Sequence, residues 1–410
     1  MNDASAAVPD PDLVLSVRHK SVPPEFWGHA ATEVAAERHP LTDFSTPLLT
    51  FDRAASEHNV ATLIAWVRER GLELAPHGKT TMAPVLWRRL LDAGAWGLTV
   101  ATPWQAQVAR AAGVSRLLIA NQVVDPVAIA WLAREVDAGA EIACWVDSLE
   151  SVRLLAESAG TRPLDVLVEL GAPGGRTGAR GTEAALAVAR DVLAAPRLRL
   201  RGVAGYEGSY GADRAPTTLA RVRAYLRELR ELAETLLSWD ALSDPIVTAG
   251  GSAFFELVAD ELAPLTESRG RSVTVVLRSG AFQAHDDVFY DGISPFSDSE
   301  LEFRPALAVW SRVVSRPEPT LALLDAGKRD LPVDLGMPVV HGHPGAVVTG
   351  VNDQHCYLSL PADSTLAVGD VVRLGISHPC TAFDKWRLIP EVESADAAEP
   401  VVVGFLETFF

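Results

Sequence analysis

The sequence predicts an α/β fold: a (β/α)8 barrel followed by a mainly-β domain. Two observations predict the barrel. From residue 72 onward, short β-rich runs alternate with longer amphipathic ones, and the β-rich runs number eight. Alternating units of this kind close into a barrel or open into a doubly wound sheet, and the count of eight favours the barrel. A third observation ends it. After about residue 296, apolar runs are separated by Gly, Pro and Asp turns with no clear helix between them, the texture of a separate β domain.

The eight runs are "LELAP" (72–76), "WGLTV" (96–100), "RLLIA" (116–120), "EIACWV" (141–146), "LDVLVEL" (164–170), "LRLRGVAGY" (198–206), "PIVTA" (245–249) and "SVTVVL" (272–277). Helical patterns such as "TPWQAQVARAAG" and "TTLARVRAYLRELRELAETLLSW" lie between them. A further strand–helix pair, "PLLTFDRAASEHNVATLIAWVRERG", precedes the first unit. The expected organisation is therefore a barrel over residues 46–295 and a β domain over 296–410. Residues 1–45, too short and irregular to fold alone, are expected to pack with the β domain.

Composition bounds the function. The net charge of −17 argues against a nucleic-acid partner, because phosphate neutralisation needs clustered Lys and Arg. No stretch approaches the roughly 18 uninterrupted apolar residues of a membrane span. Cys144, Cys356 and Cys380 are odd in number and widely spaced, which suits a reducing cytoplasm better than a disulfide framework. The opening "MNDASAAVPDPDLVLSVRHK" has no basic region followed by an apolar one, so no secretory signal is expected.

Barrel enzymes carry their chemistry on loops after the C-terminal ends of the strands. Here those loops hold "HGKTT", "ATPWQ", "GAPGGRTGAR", "EGSYG", "GGSAF" and "RSGAFQAHDD". Lys79 leaves a buried run and enters the first of them, a poor place for a solvated charge and a good one for a reactive amine. "GGS" (250–252) and "RSGA" (278–281) follow the seventh and eighth strands, where barrels often bind phosphate through backbone N–H groups. An amine facing a phosphate cradle points to a Schiff base with a phosphorylated carbonyl cofactor, pyridoxal 5′-phosphate (PLP). The plainer readings are a surface lysine, a loop histidine at His77, and an ordinary turn in which Ser252 caps a helix.

Taken together, "PHGKT", "GGRTG", "GYEGSY", "TAGGS", "RSGAFQAHDD" and "SHPCTAFDKW" resemble the fold-type III PLP enzymes with an alanine racemase-like barrel. The particular resemblance is to the D-serine dehydratase and D-threonine aldolase group, from about residue 45 to the end. It implies that Lys79 carries PLP, with His77 and Thr80 beside it. Arg176 would lie near the phenolic oxygen and Tyr206 near the ring, while Gly250, Gly251, Ser252, Gly280 and Ala281 supply the phosphate cradle. Glu207 departs from the commoner histidine pattern of the group. The resemblance also implies a homodimer.

"SHPCTAFDKW" (377–386) adds a second chemistry. His378 and Cys380 are two apart, so a strand would turn both to one face, and both are good zinc ligands. A buried thiol beside a structural histidine is the plainer reading. Members of the group with His-x-Cys here bind zinc near PLP, which places the chain on the dehydratase side. The expected reaction is β-elimination from a D-β-hydroxy amino acid, such as D-serine, D-threonine or D-threo-3-hydroxyaspartate, giving a 2-oxo acid and ammonia. Lys79 would serve as the base and zinc would draw off the hydroxyl. A D-threonine-type aldolase, a racemase and a non-catalytic PLP-binding protein are the rival readings. His341 and His343 read as loop residues. His285, Asp286 and Asp287 read either as substrate-positioning groups or as a solvated turn, and Asp384, Lys385 and Trp386 as pocket or turn.

Overall fold

The computed structural model describes residues 13–158, 160–268, 270–297 and 299–410. The chain divides into two compact units. One holds residues 63–79 and 89–280; the other holds the described residues up to 62, with 80–88 and 281–410.

In the first unit, parallel strands neighbour one another in the order Glu73–Leu74, Thr274–Leu277, Ile246–Ala249, Leu198–Gly205, Leu164–Gly171, Glu141–Val146, Arg116–Gln122 and Leu98–Val100. The two ends of this series meet. The Gly78 N–H donates to the Thr99 carbonyl at 2.7 Å and the Thr99 N–H to the Pro76 carbonyl at 2.9 Å. That closure makes a barrel and excludes the open doubly wound sheet. Each of the eight strands falls on one of the β-rich runs of the sequence. Strands covered on both faces read as near-continuous apolar runs, which is why they stand out. Ala75, Leu118, Ala143, Trp145, Leu167, Ala204, Ile246 and Val276 form one buried cluster.

The surrounding helices begin where short-range chemistry tells them to. Thr102 caps Pro103–Ala111 by accepting the Gln105 N–H at 3.2 Å, and Asp125 caps Pro126–Asp137 by accepting the Ala128 N–H at 2.8 Å. Both helices start on a proline, whose missing donor costs nothing there. The long helix Pro216–Ser238 buries Val222, Leu226, Leu229, Leu232, Ala233, Leu236 and Leu237, an i, i+3/i+4 stripe. Beside that stripe, Arg223, Arg227 and Arg230 converge on the buried Glu261 carboxylate at 3.5, 3.2 and 3.2 Å. Several cationic partners let a carboxylate stay charged out of water.

The second unit is built on a strand-rich sheet. The sequence counts residues 46–52 with the barrel segment. The structure instead pairs Leu48–Asp52 antiparallel with Leu307–Glu318 and parallel with Leu388–Val392. All five of its residues are buried. Such a strand needs partners on both edges, and nothing in its own residues says which sheet provides them. Leu307–Glu318 also pairs with Leu321–Leu324 and Val371–Gly375, and Leu388–Val392 with Val402–Glu407. The core here joins Leu49, Phe51, Val309, Leu358, Leu374, Phe383 and Trp386. Leu15, Val22, Ala31 and Val34 from the N-terminal segment pack with Leu388. Lys20 reaches Asp330 at 2.8 Å and lies 3.7 Å above the Trp386 ring. The Trp386 indole donates to the Asp330 carbonyl at 3.1 Å, which makes it a structural residue of this unit.

Candidate active site

At the mouth of the barrel, Lys79 lies exposed just beyond the first strand. His77 is partly exposed as a residue, but its Nδ1 is sealed from solvent and has no hydrogen-bond partner. Burial, then the charges of Lys79, Arg278 and Arg176, hold its pKa well below the usual histidine range. The imidazole is therefore neutral at pH 7. Arg278 is almost fully buried, donating to Thr248 Oγ1 at 2.7 Å and to the Gly205 carbonyl at 2.6 Å. The Arg176 guanidinium sits 4.2 Å from the centre of the Tyr206 ring, a cation–π contact. The Tyr206 N–H donates to the Tyr225 hydroxyl at 3.0 Å, which donates to the Leu170 carbonyl at 2.7 Å.

The loops after the last two strands show where a cradle is built and where it is already engaged. The Gly250 and Gly251 N–H groups donate to the two carboxylate oxygens of the fully buried Glu207 at 3.0 and 2.6 Å. Gly250 has a φ of +118° that favours glycine. Ser279 Oγ donates to the Gly251 carbonyl at 2.8 Å. Ser252 is not a helix cap: the helix Phe255–Leu262 is capped at Phe254 with no side-chain bond, because the chain bends for two more residues after Ser252. At Gly280 a Cβ would lie 2.5 Å from the His77 carbonyl oxygen and 2.8 Å from its Cβ and N. Only glycine lets the eighth-strand loop lie against the loop that carries Lys79. Ala281 opens a buried 3-10 turn, Ala281–Gln283, in the strand-rich unit.

These residues fit a phosphorylated cofactor. Lys79, Arg176 and Arg278 give an excess of positive charge around a histidine kept neutral, and the glycine approach leaves backbone rather than side chains on one wall. The Gly250 and Gly251 amides expected to hold phosphate are engaged by the Glu207 carboxylate, so a phosphate there would have to displace it.

The strand-rich unit holds the second cluster. The spacing of His378 and Cys380 suggests one face of a strand. The structure puts Cys380 at the start of the short helix Cys380–Phe383, with Pro379 as its cap residue and His378 just before it. The preceding strand Val371–Gly375 has already ended, and Pro379 sits where a missing backbone donor costs a helix start nothing. The two side chains still come together. Burial acts against a charged His378 ring, but hydrogen bonds with Cys380 and Asp334 raise its pKa to about 9. His378 Nδ1 lies 2.7 Å from Asp334 Oδ2. Thr80 is brought to this cluster, its Oγ1 3.3 Å from Cys380 Sγ. A thiol and an imidazole suit zinc. Among the described residues no third His, Cys, Asp or Glu joins them in a metal-sized group, so water and substrate would complete the coordination.

Of the acidic motif after the eighth strand, His285 is buried and lowered to about 4 by burial alone. Asp286 is pushed up to about 7, chiefly by burial. Asp287 Oδ1 lies 2.9 Å from His341 Nε2. His285 and Asp286 are thus not a solvated turn.

Sequence reasoning missed Arg278, Glu207 as a partner of the glycine turn, and Asp334. Arg278 had a signal: a charge closing the apolar run "SVTVVL". Asp334 had none, since 44 residues separate it from His378.

Comparison with known proteins decides the family. A model of the alanine racemase N-terminal domain matches residues 51–269, more than half of the chain. The chain belongs to the alanine racemase-like, fold-type III PLP enzymes. A serine dehydratase domain model matches residues 306–392 of this family member. The chain is 28% identical to a D-threonine aldolase of an Arthrobacter species, over 87% of this chain and 91% of the relative. It is 26% identical to the D-threo-3-hydroxyaspartate dehydratase of Delftia sp. strain HT23, over 83% and 92%. The crystal structure of D-threonine aldolase from Filomicrobium marinum superposes with a TM-score of 0.80 at 28% identity, covering 90% of this chain and 97% of that one. No helix among the described residues is long and apolar enough to cross a membrane.

Proposed function

We propose that this protein is a PLP- and zinc-dependent ammonia-lyase that converts a D-β-hydroxy amino acid to a 2-oxo acid and ammonia. D-Serine, D-threonine and D-threo-3-hydroxyaspartate are the candidate substrates, and a cytoplasmic homodimer is the expected form. The observation that carries the reading is the 3.3 Å contact of Thr80 Oγ1 with Cys380 Sγ. Thr80 directly follows Lys79, so the residue next to the amine in the chain is also next to the thiol.

PLP held at Lys79 supplies an electron sink that makes the substrate Cα proton acidic. Zinc on His378 and Cys380 supplies a Lewis acid for the β-hydroxyl, an otherwise poor leaving group. The chain's own residues do the rest. The Lys79 amine takes the Cα proton as general base. Arg176, permanently charged and steadied on the Tyr206 ring, orients anionic oxygen. His77 stays neutral among the cations and adds no further charge. The glycine loops after the last two strands would face the phosphate end, the Gly250 and Gly251 amides exchanging Glu207 for it.

A second reading has its own support: the D-threonine aldolase and 3-hydroxy-D-aspartate aldolase relatives favour an aldolase, which breaks Cα–Cβ and releases glycine and an aldehyde. The sulfur donor of Cys380 favours zinc, and the resemblance to group members with His-x-Cys favours elimination. Product analysis of PLP-loaded protein with D-threonine, D-serine and 3-hydroxyaspartate separates the two. A 2-oxo acid with ammonia, lost on zinc chelation and in Cys380→Ala, is the expected result. Glycine with an aldehyde would establish the aldolase, and retained cofactor without turnover would favour a non-catalytic PLP-binding protein.

A further inference from the structure

We propose that Asp334 is the positioning residue that selects the metal-binding nitrogen of His378, an inference that rests on the metal reading above. Its carboxylate uses both oxygens. Oδ2 lies 2.7 Å from His378 Nδ1, and Oδ1 accepts the Thr381 hydroxyl at 2.8 Å. A carboxylate at Nδ1 fixes the proton on that nitrogen and leaves the Nε2 lone pair as the ligand. Thr381 follows Cys380 directly, so the same carboxylate is braced against the segment that carries the thiol donor. The ring plane is further confined by Phe289 and Tyr290, with centroids 6.3 and 6.4 Å from that of His378.

The loop is shaped to deliver this contact. Gly336, two residues beyond Asp334, has a φ of +144°, and a Cβ there would lie 3.0 Å from Val288 and 3.6 Å from Ser377. The positive φ and the close Val288 side chain favour glycine here, while Ser377, the residue preceding His378, lies at ordinary contact distance. The Asp334 side chain is itself 46% exposed, so this hydrogen bond contributes little to the stability of the unit. Its value lies in the ligand it orients: an outer carboxylate on a metal-bound histidine also makes the ring a better donor.

The test is zinc affinity. PLP-loaded wild-type protein, Asp334→Ala, Asp334→Asn and Thr381→Val are stripped of metal and titrated with zinc against a competing chelator. Asp334→Ala should bind zinc about 10- to 100-fold more weakly. Asp334→Asn, which keeps an acceptor without the charge, should fall between, and Thr381→Val should weaken binding less than Asp334→Ala. Thermal midpoint and cofactor absorbance should stay at wild-type values in all three. Proton–nitrogen correlation NMR on the zinc-loaded protein should find the His378 proton on Nδ1 and the metal on Nε2 in the wild type, and a mixture of the two ring attachments in Asp334→Ala. Wild-type-like zinc affinity in Asp334→Ala would overturn the inference alone. A wild-type protein that takes up no zinc would overturn the metal reading and this inference with it.

Discussion

Two histidines in this molecule are held in opposite charge states. In the barrel, His77 is sealed at Nδ1, left without a partner and surrounded by Lys79, Arg278 and Arg176, and its pKa is driven well below the usual range. In the strand-rich unit, His378 meets Asp334 and Cys380, and its pKa rises to about 9 against the effect of burial. The first environment carries three cations, with the Glu207 and Glu169 carboxylates also acting on Arg278. The second has a thiol and a carboxylate and suits a cation. Burial alone keeps a histidine neutral, as His285 shows by falling to about 4, and it is also the largest cause at His77; only His378 needs its neighbours to reverse the effect. At His378 the Cys380 and Asp334 partners decide the charge state.

That contrast can be broken at its strongest point first. Lys79→Ala removes the amine and one of the three barrel cations. Turnover should fall by about 10²–10⁴-fold or more, the usual reach of a general base, and the long-wavelength absorbance of bound cofactor should be lost. Persistence of both would remove Lys79 from the chemistry.

The next effect tests His285 as the burial-only reference. Its folded pKa of about 4 lies below the ordinary histidine value of 6.5, so on acidification the unfolded chain takes up a proton that the folded chain refuses. Its contribution is constant above pH 6.5, and stability is lost as pH falls from there toward 4, by up to about 3 kcal/mol. Asp286 acts with the opposite sign. Raised from 3.8 to about 7, it makes stability fall as pH rises through that window. The measurement is therefore a difference of urea midpoints between wild type and His285→Asn across pH 4–7. Asparagine tolerates the φ of +45° at this position, and the acid-side loss should vanish from the variant. An unchanged slope would mean that burial does not govern His285.

The smallest effect sharpens the barrel side. Gly280→Ala forces a methyl to within 2.5 Å of the His77 carbonyl oxygen. It should cost about 1–3 kcal/mol in denaturant unfolding and weaken PLP binding, because the loop of Lys79 must move. An alanine variant with native stability and cofactor affinity would show that the close approach is dispensable.

The sequence was most readable where the physics is local. Strands covered on both faces are continuous apolar runs, and the eight of the barrel lie where the pattern places them. The caps at Thr102 and Asp125 follow from residues three positions apart. Lys79 and His77 stand out because strand ends in a barrel are where loops carry chemistry, whereas Arg176 and Tyr206 are reached through the resemblance; the structure puts Arg176 over the Tyr206 ring and the Lys79 and Arg176 charges on His77. Readability failed where a partner came from far along the chain. Glu207 engages the amides of Gly250 and Gly251, 43 and 44 residues away. Leu48–Asp52 joins a sheet whose other strands begin at residue 307. His378 and Cys380 belong together, but at the start of a helix rather than along a strand.

By itself, the sequence determined the alternation that makes a barrel, the turn-rich β region that follows, and the short motifs that name the chemistry, because periodicity and turn residues act over a few positions. Only the tertiary structure decided that the barrel closes through Gly78 and Thr99, that Arg278 is held inside it by Thr248 and Gly205, and that Asp334 meets His378. Those are contacts between distant segments. Their geometry depends on how whole elements pack, which no local pattern of residues encodes.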